Sequence, residues 1–168
     1  MRKSDLVAIT GGLSNPSKMP GKAYSLPARR CVTGAKLRRI PGSVCASCYA
    51  CKGRYVFGNV QRALYRRADV IDTVTAAGPE SLGWRLWLAA MAELIGTDRH
   101  FRFHDSGDLQ SSRHLELYCG LAATTPSTTY WLPTKESALV KAYRGPIPEN
   151  LTIRISAAML NAPIPTTI

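Results

Sequence analysis

The chain has 168 residues, 45% of them hydrophobic, and carries 22 Lys and Arg against 11 Asp and Glu, a net charge of +11. With a mean hydropathy near zero, this predicts one soluble, globular domain spanning 1–168, large enough for a real core. A membrane-spanning protein is excluded, because the longest apolar candidate, Leu86 to Ile95, is interrupted by Glu93.

Met1-Arg-Lys-Ser-Asp5 lacks the apolar core of a secretory signal. The expected compartment is the cytoplasm, where thiols stay reduced and can ligate metal. Residues 1–30 read as a loop-rich N-terminal segment, punctuated by Gly11-Gly12, Asn15-Pro16, Pro20-Gly21 and Pro27. Extended pieces are expected at Leu6–Thr10 and Ala23–Leu26.

Residues 31–55 read as a cysteine-rich metal-binding loop. Cys31, Cys45, Cys48 and Cys51 are four of the chain's five cysteines, and the last three follow a C-x2-C-x2-C spacing. Thiolates in that rhythm can converge on one centre from a short loop. Thirteen residues separate Cys31 from Cys45, a gap that a loop can fold back over. Unrelated buried thiols have no reason to cluster so, and neighbours this close pair poorly as disulfides. The short gaps favour an iron–sulfur cluster, the bacterial ferredoxin pattern being the nearest, with zinc as the alternative.

Between Leu6 and Ala68 there are twelve Lys or Arg and no Asp or Glu. Such a stretch can offset the charge of thiolates and a cluster, or hold a phosphate-rich partner. Nucleic acid or a nucleotide on the 18–67 region is the expected partner class. Tyr49 and Tyr55 lie in the basic loop, where they could stack on a base.

Residues 56–168 read as helices and βα units. A helix is expected from Asn59 to Gly78, with Val60, Leu64, Ile71 and Val74 inward and Arg62, Arg66 and Arg67 outward. A second helix, Glu80–Ile95, is expected to bury Leu82, Leu86, Trp87, Ala90 and Leu94 and to stop at Gly96. Phe101–His104 alternates like a strand and ends in the polar cluster His104-Asp-Ser-Gly-Asp108. A helix capped by Ser111 or Ser112 follows, then a strand at Thr128–Leu132 and a short helix from Glu136 to Tyr143. A last strand is expected at Leu151–Ser156, before an irregular tail from Ala162 to Ile168. Trp84, Trp87 and Trp131 are expected in the core, and Cys119 as a buried apolar thiol.

Repeated strand, polar end and helix argue an α/β fold with a parallel sheet, arranged as a partial or open (β/α) barrel. Working groups in such folds gather at the C-terminal ends of the strands. That brings His104–Asp108, Thr134-Lys135 and Arg154–Ser156 to one rim with the cysteine loop. His104, Asp105, Asp108 and Lys135 are the candidate catalytic groups. Tyr49, Ser106, Gly107, Asp108, Arg154 and Ser156 are the candidate cofactor contacts. The alternative for the 104–108 cluster is an Asx turn that caps the next helix.

Cys45-Ala-Ser-Cys48-Tyr49-Ala50, Lys52-Gly53-Arg54-Tyr55, His104-Asp-Ser-Gly-Asp108, Trp131-Leu-Pro-Thr134-Lys135 and Arg154-Ile-Ser156 together resemble the phage gene product 88 family. The resemblance covers about residues 20–160 and implies a phage-encoded protein working in the host cytoplasm. Cys-x-x-Cys-Tyr-Ala also resembles the end of the cluster motif of radical S-adenosylmethionine (SAM) enzymes. That likeness implies a [4Fe–4S] cluster on Cys31, Cys45 and Cys48, with Cys51 spare, one iron open to SAM, and Ser106-Gly107-Asp108 near the SAM amino group. The first gap of thirteen residues and Ser47 before Cys48 depart from that motif. A fourth ligand from Cys51 would close the open iron. The function expected is thus a radical-SAM-like enzyme on an anionic or nucleic-acid-related substrate. A metal-stapled nucleic-acid-binding or redox-sensing protein is the alternative.

Overall fold

In the computed structural model, residues 1–17, 19–163 and 165 are described. Lys18, at the start of the basic region, and Ile164 and Thr166–Ile168 of the expected irregular tail lie outside the described residues. The elements run α1 (Lys3–Thr10), β1 (Ala23–Tyr24), α2 (Val32–Leu37), α3 (Gly58–Ala77), α4 (Leu82–Ile95), β2 (His100–Phe103), α5 (Ser112–Thr124), β3 (Thr129–Thr134), α6 (Ser137–Ala142) and β4 (Leu151–Ile155).

All strand pairs are parallel, and the sheet order is β1-β2-β3-β4. The sheet is open and does not close into a barrel. Sequential order with right-handed crossovers puts α3, α4, α5 and α6, whose residues share one core with the strands, on the same face. The strands accordingly alternate. Phe101, Phe103, Tyr130, Leu132, Leu151 and Ile153 are buried, while Thr129, Trp131, Thr152 and Arg154 are exposed on the helix-free side. One buried cluster joins the inward strand residues to Ile71, Trp87, Met91, Leu115 and Tyr118 of the helices. Phe103 stacks on Tyr118 at 3.8 Å and Tyr24 meets Trp87 edge-on at 5.7 Å, each such pair adding about 1 kcal/mol beyond area burial.

Several expectations are corrected. Leu6–Thr10 is helical, because Leu6 and Thr10 are buried one turn apart and Gly11 closes α1 in the left-handed region at φ 80. The 31–55 loop contains α2 and single turns of 3-10 helix at Tyr49–Cys51 and Gly53–Val56. In α4 the buried stripe is Trp84, Trp87, Met91 and Ile95, whereas Leu82 and Leu86 face out at 64% and 40% exposure. A Trp at each of two stripe positions decides the orientation, since it buries the most area. Trp131 leaves the core altogether and lies under Arg102, whose guanidinium is 4.6 Å from the ring centre.

β3 runs through Pro133, although Pro cannot donate to a sheet ladder. Pairing with β2 ends at Trp131, so at Pro133 the strand has a neighbour only in β4. The helix caps agree with expectation: Ser111 accepts from the His114 N–H and Gly96 ends α4.

Candidate functional site

The cysteine segment lies across the C-terminal ends of the strands and is anchored at three of them. After β2, the Tyr55 hydroxyl donates to the Asp105 carboxylate and the Tyr49 hydroxyl to the Asp105 carbonyl. After β3, buried Glu136 accepts from the Thr33 N–H at 2.8 Å and the Thr33 hydroxyl at 2.7 Å. After β4, the Ala158 carbonyl accepts from the Val44 N–H at 3.0 Å, and Ser43 bridges Met159. Glu136 was not legible as a functional position, since nothing in sequence pairs it with Thr33.

Between this segment and the strand ends is a cavity of about 250 Å³. Cys31, Cys45 and Cys48 line it from one side. Tyr49, His104–Asp108, Lys135 and Ser156 line it from the others. The predicted rim residues thus meet at one place, with two exceptions. Cys51 is outside the lining, next to Cys48, and Arg154 lies on the exposed sheet face. Among the described residues, no three His, Cys, Asp or Glu side chains converge tightly enough to hold a single metal ion. The thiols border an open space instead. The Sγ atoms of Cys45 and Cys31 are 3.6 and 3.7 Å from the point where a Gly34 Cβ would stand.

Burial pushes the Cys31 thiol up to about 12, with Asp108 and the other cysteines adding to the effect. Burial also raises Cys45, while the Lys135 ammonium pulls it back. Cys51 is raised by burial and by Cys48. These groups are thiols unless a cation draws off their protons.

The 104–108 turn is partly structural. Asp108 is buried and accepts from the Leu109 N–H at 2.8 Å, the Thr134 hydroxyl at 2.5 Å and the Lys135 N–H at 2.9 Å. Burial raises its pKa and the three hydrogen bonds oppose the rise. Its oxygens tie the ends of β2 and β3 together, so proton transfer would break that tie. Asp105 is likewise engaged, by Tyr55 and by Arg102 at 3.4 Å. Ser106 bonds the Leu26 carbonyl at 2.8 Å. Gly107, expected to let a ligand approach, makes room for Leu26: a Cβ there would be 2.6 Å from the Leu26 Cβ.

His104 is the exception. It is 3% exposed in a left-handed conformation at φ 56, and burial, then Arg102, pushes its imidazole down to about 3. Its Nε2 meets the Tyr118 hydroxyl at 3.2 Å. Its Nδ1 has no hydrogen-bond partner and is 3.9 Å from Asp108, beyond bonding distance. A buried imidazole with one nitrogen unpartnered is a polar group of the cavity wall whose hydrogen bonding is incomplete.

A family model described as Gene product 88 matches residues 2–164. No curated protein and no solved structure matches. No helix among the described residues is long and apolar enough to cross a membrane.

Proposed function

This chain belongs to the gene product 88 family, and we propose that it is an iron–sulfur protein in which Cys31, Cys45 and Cys48 hold a [4Fe–4S] cluster. The observation that carries the reading is the division of the cysteines. Three of them line the cavity at the strand ends, and Cys51 does not. The donor set fits the group: three thiols border one space at the strand ends, and the C-x2-C spacing is one that iron–sulfur ligands use. Lys135 and Arg38 supply positive charge near the thiols, which favours thiolates.

When bound, such a cluster with an open iron supplies an electron for reductive cleavage of SAM, as in the radical SAM enzymes that the motif resembles. The chain's own residues bind and orient. His104 and Ser156 line the cavity wall beside the cofactor. Lys135 meets an anionic or nucleic-acid-related substrate. Asp105 and Asp108 hold the wall rather than transfer protons.

A second reading is a non-enzymatic, metal-stapled nucleic-acid-binding protein or redox sensor. It is favoured by Tyr49 and Phe57, which are 57% and 56% exposed beside Lys52 and Arg54. Aromatic faces among cations suit single-stranded nucleic acid.

Metal and sulfide analysis of protein purified without oxygen separates the readings. About four iron and four sulfide per chain, with broad absorbance near 400 nm, is the expected result. SAM should then perturb the paramagnetic spectrum of the reduced form. One zinc per chain and no sulfide would overturn the cluster. Binding to single strands that falls steeply with salt would favour the second reading.

A further inference from the structure

A second cavity, of about 380 Å³, opens on the other side of Asp105, between the segment before β1 and the helix α3. Its floor holds two buried polar groups at the C-terminal end of β1, the Ser25 hydroxyl and the Arg67 guanidinium, which is 5.9 Å from the centre of the Tyr24 ring. Arg67 is 4% exposed, and its Nε donates to the Ser25 carbonyl at 2.7 Å. No ion pair among the described residues includes it. The adjacent Ser25 hydroxyl is buried, and it has no hydrogen-bond partner. A guanidinium taken out of water without a counter-ion is costly, and an orphaned buried hydroxyl adds to the cost.

The sequence explains the burial of Arg67. It stands three residues after Leu64 and four before Ile71, on the buried stripe of α3. The close pass of Gly11, where a Cβ would be 2.8 Å from the Arg67 side chain, closes the site on one side. Above the floor, Leu13, Val60 and Ala63 give an apolar wall and Tyr55 an aromatic one, with Arg54 at the mouth. The size and the mix of apolar wall and few polar groups are those of a small-molecule site.

We propose that this cavity binds a small organic anion, its carboxylate or phosphate oxygens on the Arg67 guanidinium and the Ser25 hydroxyl and its apolar or ring-shaped body against Leu13, Val60 and Tyr55. The anion supplies the missing counter-charge and the missing hydroxyl partner together. The site needs no metal, so it stands apart from the cluster reading.

Calorimetric titration of the full chain with adenosine 5′-monophosphate, phenylacetate and inorganic phosphate, at constant ionic strength, tests it. At least one organic anion is expected to bind at one site per chain, with Kd of about 1 mM or tighter. The preferred probe tells phosphate from carboxylate. Arg67→Gln and Ser25→Ala should weaken binding about tenfold or more. Ala63→Leu fills the cavity from a half-buried position and should do the same if Arg67→Gln does not fold. Absence of saturable binding by both organic anions overturns the site, as does equal binding in Ala63→Leu and wild type. Inorganic phosphate binding as tightly as either organic anion overturns the assignment of a ligand body.

Discussion

Glu136 accepts two hydrogen bonds from one residue, Thr33, at its N–H (2.8 Å) and at its hydroxyl (2.7 Å). The pair spans 103 positions of sequence and clamps the segment that begins at Cys31 onto the end of β3. Charge-assisted bonds of this kind contribute more than neutral ones. Glu136→Gln keeps the shape but can accept only through its one carbonyl oxygen. It should lower stability by about 1–3 kcal/mol, read as a drop in the denaturant midpoint. Thr33→Val in a double-mutant cycle should show coupling of about 1 kcal/mol or more. Fully additive effects would mean that the clamp contributes nothing.

The cysteines divide into three that face the cavity and one that does not. Cys31→Ser, Cys45→Ser and Cys48→Ser should each lose the iron and sulfide, while Cys51→Ser should keep them and the absorbance near 400 nm. Loss of the cluster in Cys51→Ser to the same extent would make it a fourth ligand. No iron would then be open, and the radical-SAM part of the proposal would fail.

Gly107 has φ 82 and passes against the backbone of Leu26. Gly107→Ala therefore meets both a disfavoured conformation and a contact that must shift. Destabilisation of about 2–4 kcal/mol is expected. Gly53→Ala is the comparison, since Gly53 shares a positive φ of 54 but a Cβ there meets nothing within 4 Å. It should cost only the conformational part, about 1 kcal/mol. Equal losses in thermal scans would show that the Leu26 contact yields freely.

Sequence periodicity disclosed the sheet better than the helix faces. β2, β3 and β4 were legible because one covered face makes strands alternate, and Phe101, Phe103, Tyr130 and Ile153 keep that rhythm. The polar strand ends followed from the βα order. What stayed hidden depends on contacts between distant segments. Arg67 reads as a surface charge until Gly11 and Ser25 close over it. Leu82 and Leu86 look like core until Trp84 and Trp87 claim the inward face of α4. In the 104–108 cluster the turn reading holds for Asp108. Asp108 caps and ties, as a turn residue would, while the His104 Nδ1 is buried without a hydrogen-bond partner.

That imidazole also sets how the fold responds to acid. Burial, then Arg102, hold His104 near 3, and burial keeps His114, 5.5 Å away, well below its ordinary value. Both are neutral in the folded protein at pH 7. In the unfolded chain a histidine titrates near 6.5. Below that pH the unfolded state binds more protons than the folded one, so stability falls as pH drops from about 6.5 toward 3. For His104 alone the loss at pH 5 is about 2 kcal/mol. His104→Asn retains a side chain that tolerates the left-handed backbone while removing the titrating group. The thermal midpoint of wild type should fall clearly between pH 7 and pH 5, and that of the variant by less, since only His114 remains. An unchanged pH slope in His104→Asn would show that burial of the His104 imidazole does not set the acid response of the fold.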